Sequence, residues 1–277
     1  MATKFEHQLK AFRRSSPWIP GGAAATSLYV AFIGLPVLAL IIRSAREQDF
    51  WSGLSSSLAL QALQLSITTS AISIIIVILV GTPFALLLAR SNCVLLKIVD
   101  SMVELPIVLP PVVAGVAMLM AFGRQGIMGP ALTGIGISIP FTTVAVIFAQ
   151  IFVSAPFYVR AAKLGFQSVD HEYEEISLTL GVSPWHTFWR LTLPLAAPSM
   201  LTGLVLAWAR AISEFGATIM FAGNLTGRTQ TMPLAIITAM ESSLGAALAL
   251  SVLLLAASML VLVALGLLTS RSRQTQR

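Results

Sequence analysis

Six long apolar segments alternate with shorter polar stretches along the chain. They cover residues 23–42, 65–88, 105–122, 141–158, 199–221 and 244–268. Each approaches or exceeds the roughly 20 apolar residues that a helix needs to cross about 30 Å of hydrocarbon. A lone strand in lipid leaves its backbone groups unpaired, so all six segments are predicted to be helices. The pattern predicts an all-α integral membrane protein with six transmembrane helices.

Composition supports this class of protein and excludes others. Of the 277 residues, 56% are hydrophobic and 10% are charged, and the mean hydropathy is +0.87. This is too little polar surface to cover a soluble globule. The net charge of +6 does not indicate nucleic-acid binding, because basic residues of a membrane protein mainly set its orientation. Cys93 is the only cysteine, which excludes an intrachain disulfide, and no cofactor is expected.

The basic residues predict the orientation in the membrane. With the N-terminus inside, the outer loops hold only Arg43, Arg46, Arg124 and Arg228. The cytoplasmic segments then hold Lys4, Lys10, Arg13, Arg14, Arg90, Lys97, Arg160, Lys163, Arg190, Arg271, Arg273 and Arg277. Twelve inside against four outside predicts that both termini are cytoplasmic, by the positive-inside rule. Residues 1–22 and 269–277 become cytoplasmic tails, and 23–57 a first transmembrane helix with its outer loop.

This orientation makes 168–194 the longest cytoplasmic loop. Ser168 or Asp170 is a candidate cap for a first short helix, and acidic residues crowd its first turns, where the helix dipole favours them. Gly181 is a natural left-handed stop. Ser183 and Pro184 have the residue types that start a second helix, which is predicted to end at Leu193-Pro194.

Three aromatic residues lie on the second short helix, and two readings of them are open. Trp185, Phe188 and Trp189 belong either to the aromatic belt at the membrane surface or to a surface that binds another protein. The residue types alone do not separate these two readings.

The loop resembles the EAA loop of ABC-importer permease subunits. The family pattern is EAA, three residues, glycine, nine residues, isoleucine, one residue and Leu-Pro. The corresponding positions here are Glu175, Ile176, Ser177, Gly181, Leu191, Leu193 and Pro194. The spacing agrees throughout. The chain departs from the pattern at Ile176 and Ser177, which replace two alanines, and at Leu191, which replaces isoleucine.

The resemblance implies a partner for this loop. In the family the loop forms a coupling helix that binds in a groove of a cytoplasmic ATPase subunit, so a cytoplasmic ABC ATPase dimer is the expected partner. The coupling residues implied are Glu175, Ile176, Ser177, Gly181, Trp185, Phe188, Trp189, Leu193 and Pro194. The chain has no G-x-x-x-x-G-K-[ST] sequence, so ATP hydrolysis is expected on another chain and this one is expected not to be an enzyme.

Two further stretches resemble one branch of these permeases, the molybdate/tungstate group that is related to sulfate permeases. They are "ELPIVLPPVVAGVAMLMAFGRQGIMGP" at 104–130 and "WARAISEFGATIMFAGNLTGRTQTMPLAI" at 208–236. The resemblance implies a type I ABC-importer permease fold with its core at 58–268, in the bacterial inner membrane. It also implies a periplasmic or lipid-anchored oxyanion-binding protein as a second partner. The first span is a departure, since short members of this branch begin near the second span.

Prolines interrupt the third apolar segment. Pro106, Pro110 and Pro111 lack amide donors and prevent a regular helix, so nearby carbonyl groups need partners other than lipid. Pro110 and Pro111 are therefore candidates for a protein-lined or watery pathway, and a kink packed against neighbouring helices is the alternative.

The fifth apolar segment contains two opposite charges. Arg210 and Glu214 are four residues apart, which places them on one face of a helix, and Arg210 is predicted to lie roughly 16 Å deep at 1.5 Å per residue. Charges at that depth normally face the bundle interior. They either neutralise each other and fix neighbouring helices, or line a translocation pathway. A paired arginine offers little net attraction to a dianion, so a tight anion site is not predicted here.

The resemblance implies a permease subunit for molybdate or tungstate, and we hypothesise a homodimer with the pathway on its two-fold axis, since a symmetric pair of ATPases needs a symmetric pair of coupling helices. A sulfate or thiosulfate ABC permease is the alternative within this class. An ion-coupled secondary transporter is the alternative outside it, but such a protein is expected to show an inverted repeat, and no convincing repeat is found.

Overall fold

Helices account for all the regular secondary structure of residues 18–91 and 93–274, which are the residues described by this computed structural model. The described residues form fourteen α-helices and one π-helical turn. They are α1 (Trp18–Ser44), α2 (Phe50–Leu54), α3 (Ser57–Arg90), α4 (Val94–Val103), α5 (Leu105–Val108), α6 (Pro111–Phe122), α7 (Gly129–Gly134), α8 (Thr143–Gln167), α9 (His171–Thr179), α10 (Pro184–Thr187), the π turn (Phe188–Thr192), α11 (Leu193–Ile212), α12 (Gly216–Phe221), α13 (Met232–Ser242) and α14 (Leu244–Gln274). The all-α prediction is confirmed, and most of the predicted N-terminal tail lies outside the described residues.

Five of the described helical stretches are long and apolar enough to cross a membrane. They are Ala24–Ser44, Ser57–Arg90, Thr143–Gln167, Pro184–Ile212 and Leu244–Gly266. Several extend beyond the predicted spans, because the apolar pattern stops where polar residues begin while the backbone hydrogen bonds of the helix continue into the interface. The helix α3, for example, starts eight residues before the predicted segment 65–88.

Two predicted spans are not single helices. The third, 105–122, is divided into α5 and α6 by extended backbone at Leu109 and Pro110. The fifth, 199–221, is divided into α11 and α12, because α11 ends at Ile212 and α12 begins at Gly216. The helix α13 is an additional apolar element that packs against α14 and α3. The six predicted spans are therefore not six uninterrupted helices.

The centre of the fold is a bundle of α3, α8 and α11, which share the most extensive contacts. Small residues line these contacts and let the helix backbones approach closely. The fully buried alanines there are Ala85, Ala162, Ala196, Ala207 and Ala211. Larger side chains such as Tyr158 and Phe166 fill the remaining space. By contrast, α1 packs mainly along α14, and its described side chains are almost all exposed.

Buried hydroxyl groups join the bundle in the part of α3 nearer its N-terminus. Four side chains at helical spacing face inward, and these are Ser66, Thr69, Ser70 and Ser73. The Ser73 hydroxyl donates to Gln150 Oε1 of α8 at 3.0 Å, and the Ser66 hydroxyl accepts from the Met232 amide of α13 at 2.7 Å. Hydrogen bonds of this kind fix helices to one another where lipid offers no polar partner.

Candidate functional site

The first helix of the predicted coupling loop is α9. Asp170 is its N-cap, and its carboxylate accepts from the Glu172 amide at 3.1 Å, whereas Ser168 caps the end of α8 instead. Gly181 ends the turn with φ of +80°, as predicted. The Gly181 amide donates to Leu178 O at 2.9 Å and the Val182 amide to Ser177 O at 3.1 Å. This is the hydrogen-bonding pattern of a left-handed helix stop, and it reverses the direction of the chain.

The second helix begins as predicted but does not end as predicted. Ser183 is the N-cap of α10 and Pro184 its first residue. The predicted end at Leu193-Pro194 is wrong, since the chain continues through the π turn into α11 as one stretch, Pro184–Ile212. In the π turn the Leu193 amide donates to Phe188 O, five residues back. The wider turn shifts the hydrogen-bonding register and lets Pro194 occupy the first turn of α11, where a proline is tolerated.

The predicted coupling residues divide into exposed and inward-facing groups. Glu175, Ile176, Trp185 and Trp189 are exposed, and the Glu175 side chain reaches 73% exposure. Ser177 instead hydrogen bonds to Thr187 across the turn at 2.9 Å. The partly buried Phe188 approaches Phe166 of α8 with 6.3 Å between ring centroids. The loop thus presents a carboxylate and aromatic edges outward while its other face is attached to the bundle.

Glu174 is a residue of this loop that sequence analysis missed. Its Oε1 atom accepts from Arg90 Nη2 at 2.6 Å and from Thr192 Oγ1 at 2.7 Å. The Glu174 side chain is 17% exposed, in contrast to its neighbour Glu175. In the sequence, these two residues belong to one acidic cluster at a helix start, and nothing in the local pattern distinguishes them.

The two breaks in the predicted spans lie against each other. A Cβ atom at Gly216 of α12 would lie 2.6 Å from Cβ of Pro111, so only glycine fits there without displacement. The helices α6 and α12 pack along their lengths beyond this point. Pro110, Pro111 and the neighbouring residue Val112 are nevertheless exposed on the surface of the single chain. The fold therefore brings the candidate pathway residues of both segments into one region.

Arg210 and Glu214 form an ion pair, but not on one helix. Arg210 Nη1 lies 2.6 Å from Glu214 Oε2. The helix α11 ends at Ile212, so Glu214 lies in the break, and its Oε1 accepts from the Ala217 amide of α12 at 2.7 Å. The helical-face prediction is wrong because the chain leaves the helix before Glu214. Glu214 is 1% exposed, and one carboxylate both neutralises Arg210 and caps the next helix.

An apolar groove separates the second half of the loop from α3. It has a volume of about 870 Å³ and is bounded by Leu79, Leu86, Tyr158, Trp185, Trp189 and Leu204, among other residues. Its main polar feature is the Thr82 and Tyr158 hydroxyl pair, 2.6 Å apart. The aromatic side chains of the loop thus border this groove as well as the outer surface.

This geometry defines a class of protein, namely a helical membrane protein with two distinguishing features. A helical loop is fixed to one end of the helix bundle, and an ion pair lies at a break in one of the bundle's long helical segments. Residues 81–274 match the family of binding-protein-dependent transport system inner membrane components. The chain belongs to this family. It is a multi-pass protein of the inner membrane and a permease subunit.

Individual relatives cover most of the chain. The molybdenum transport system permease protein ModB of Mycobacterium tuberculosis is 41% identical over 247 residues, which are 89% of this chain and 93% of that protein. The probable sulfate transport system permease protein cysT of Chlorokybus atmophyticus is 36% identical over 231 residues, 82% of this chain and 79% of that protein.

A solved structure confirms the fold. The chain superposes on a bacterial ABC transporter involved in the import of the acidic polysaccharide alginate with a TM-score of 0.74, covering 96% of this chain and 99% of that one. The identity is 17%. The type I ABC-importer permease fold is therefore confirmed.

Proposed function

We propose that the chain is the permease subunit of an ATP-driven importer that carries molybdate, or its close analogue tungstate, across the inner membrane. The observation that carries the proposal is the 41% identity to a molybdenum transport permease over nearly the whole of both chains. The lower identity to a sulfate transport permease, 36%, makes sulfate the second candidate cargo. An oxyanion of tetrahedral shape and double negative charge is common to both.

ATP hydrolysis belongs, in this proposal, to a separate dimer of cytoplasmic ATPase subunits. The segment 168–194 is the coupling loop, and its exposed Glu175 and Trp185 are the residues offered to the partner. Aromatic side chains that protrude from a rigid element are common anchors of protein interfaces. The distribution of basic residues supports this assignment, since by the positive-inside rule it predicts that both termini and the loop are on the cytoplasmic side.

The translocation pathway lies between two copies of the chain. The exposed prolines at the break between α5 and α6 support this arrangement, because an interrupted backbone is unfavourable against lipid and is tolerated beside protein or water. Symmetric ATPases also require symmetric coupling loops. ATP-driven closure of the ATPase dimer brings the two loops together and opens the outer side, and hydrolysis resets the inward-facing state.

Arg210 and Glu214 act, in this proposal, at the edge of the pathway without holding cargo tightly. Both Glu214 oxygens already face partners, Arg210 and the Ala217 amide. A neutralised arginine attracts a dianion weakly, which suits a conduit that must release its cargo. Selection of the oxyanion is therefore assigned to a periplasmic or lipid-anchored binding protein.

Reconstitution into vesicles tests the cargo and the energy source together. The complex of the chain with its ATPase is placed in liposomes, with ATP on the loop side and the loaded binding protein on the other. We expect molybdate uptake that requires ATP and is inhibited by excess tungstate but not by excess sulfate. Inhibition by sulfate would identify a sulfate permease, and uptake without the ATPase would identify a secondary transporter.

A glycine substitution tests the coupling loop. Gly181→Val forces a β-branched residue into φ of +80°, while Gly134→Val is a matched control, because a Cβ atom meets nothing within 4 Å at either position. The left-handed conformation costs a residue other than glycine about 1–2 kcal/mol. We expect Gly181→Val to insert normally and lose ATP-dependent uptake, and Gly134→Val to retain it. Normal uptake by Gly181→Val would contradict the assignment of the loop.

A further inference from the structure

Glu174 connects three elements that are distant in the sequence. It lies on α9, its partner Arg90 is the last residue of α3, and its partner Thr192 is the last residue before α11. Arg90 also donates from Nη1 to Val169 O, just before α9, at 3.4 Å. Both α3 and the stretch that contains α11 are long and apolar enough to cross a membrane, so one carboxylate links the loop to the ends of two long helices.

Few other contacts hold α9 against α3. A cavity of about 460 Å³ separates them, lined by Pro83, Leu86, Arg90, Glu174, Leu178 and Phe188, among other residues. Apolar packing across this gap is therefore incomplete. The hydrogen-bonded ion pair spans it, and with about a fifth of each side chain exposed it is shielded from solvent better than a surface pair.

The loop itself is stiffened on the same side. Ser177 of α9 hydrogen bonds to Thr187 of α10 at 2.9 Å, and the Thr187 hydroxyl also bonds to Ser183 O. The two short helices are thus fixed to each other at one point and to the long helices at another. A displacement applied to the exposed face of α9 and α10 reaches α3 chiefly through Arg90 and reaches α11 through Thr192 and the π turn.

We propose that Glu174 is a positioning residue that transmits movement of the coupling loop to α3 and α11, and that the Arg90, Glu174 and Thr192 cluster sets how much transport each ATP hydrolysis drives. The inference rests on the proposed function, since it needs an ATPase bound to the loop. It assigns to Glu174 a role different from that of Glu175, which is exposed and faces the partner. Energy conversion then depends on a partly buried polar link and not on the docking surface alone.

The test measures molybdate ions transported per ATP hydrolysed by the complex in liposomes. Glu174→Gln keeps the side-chain size and an oxygen for Thr192 but removes the charge attraction to Arg90. We expect this variant to retain ATPase binding and ATP hydrolysis while transport per ATP falls about tenfold, within the usual range of coupling energies between sites. Glu172→Gln, on the same helix and exposed, is the matched control and keeps the wild-type ratio.

Two further variants separate positioning from simple structural support. Thr192→Val removes the hydroxyl at nearly constant shape. It is expected to lower the number of molybdate ions transported per ATP by a smaller factor than Glu174→Gln does. The exchange Arg90→Glu with Glu174→Arg is expected to restore part of the ratio. A lower yield of complex with an unchanged ratio in Glu174→Gln and Thr192→Val would overturn the inference. Absence of ATP-dependent uptake in the wild-type complex would overturn the proposed function itself, and this inference with it.

Discussion

Two arginine-glutamate pairs with the same 2.6 Å separation serve different purposes in this molecule. Arg90 and Glu174 are 84 residues apart and join the loop 168–194 to α3. Arg210 and Glu214 are four residues apart and stay within one interrupted segment. The first pair connects elements that are distant in the sequence, and the second lies where the backbone leaves α11 and enters α12.

The surroundings of the two pairs reinforce this difference. Glu214 is 1% exposed and its second oxygen caps α12, so its loss affects a tightly packed region. Glu174 adjoins an open cavity and is partly exposed. We infer that the region around Glu214 carries more of the stability, whereas the region around Glu174 carries more of the coupling.

The largest effect on stability is expected from Glu214→Ala. It leaves Arg210 unpaired in a membrane-spanning segment and removes the acceptor of the Ala217 amide. Breaking a buried pair from one side costs about 3–5 kcal/mol. Thermal unfolding in detergent measures the loss, with Glu214→Gln as a milder control that keeps an amide oxygen. A melting temperature for Glu214→Ala equal to that of the wild type would remove the distinction between the pairs.

Gly216→Ala tests the packing of the two breaks. The new Cβ atom would lie 2.6 Å from the Pro111 Cβ and 3.2 Å from the Pro111 carbonyl carbon, so the proline ring and the backbone that carries it must shift. Overpacking of this kind costs about 1–3 kcal/mol. Gly134→Ala adds the same methyl group where nothing lies within 4 Å and serves as the control. Equal unfolding temperatures for the two variants would show that α6 and α12 are not held in this contact.

Glu174→Ala is expected to have a smaller effect on stability than either Glu214→Ala or Gly216→Ala. A partly exposed ion pair with one additional hydrogen bond contributes about 1 kcal/mol. Comparison with Glu172→Ala by thermal unfolding measures this contribution. A loss as large as that of Glu214→Ala would mean that the Arg90 and Glu174 pair also supports the fold as a whole.

Glu175→Ala is expected to leave stability within about 0.5 kcal/mol of the wild type, since the Glu175 side chain is 73% exposed. Its effect appears in partner binding, where the dissociation constant for the ATPase is expected to rise about tenfold, equivalent to 1.4 kcal/mol. Binding of the purified ATPase to the permease in detergent measures it. If Glu175→Ala bound the ATPase with unchanged affinity and Glu174→Ala bound it more weakly, Glu174 and not Glu175 would be the residue that contacts the ATPase.

Much of the loop 168–194 is predictable because local chemistry determines it. Asp170, Gly181, Ser183 and Pro184 act at helix ends through backbone preferences that depend on few neighbours. The proline break before α6 follows from missing amide donors in the same way. The continuation through Pro194 was not predictable, because a π turn depends on packing of the adjoining helices and not on the residue types alone.

The ion pairs show a different limit of prediction. The Arg210 and Glu214 contact was anticipated from their spacing, although the helix ends before Glu214 and the geometry differs. The Arg90 and Glu174 contact had no signal in the sequence, because it depends on how α3 and the loop meet in space. A single sequence identifies charged residues in unusual places but does not show which distant partner each one contacts.

Photo-crosslinking from two exposed tryptophan positions tests the central claim most directly. A photoreactive residue replaces Trp185 on the loop or Trp51 on α2, positions that are 67% and 72% exposed, and the complex is irradiated in native membranes. The account predicts crosslinks to the ATPase subunit from position 185 and none from position 51. Crosslinks to the ATPase from position 51, or none from position 185 in an assembled complex, would contradict it.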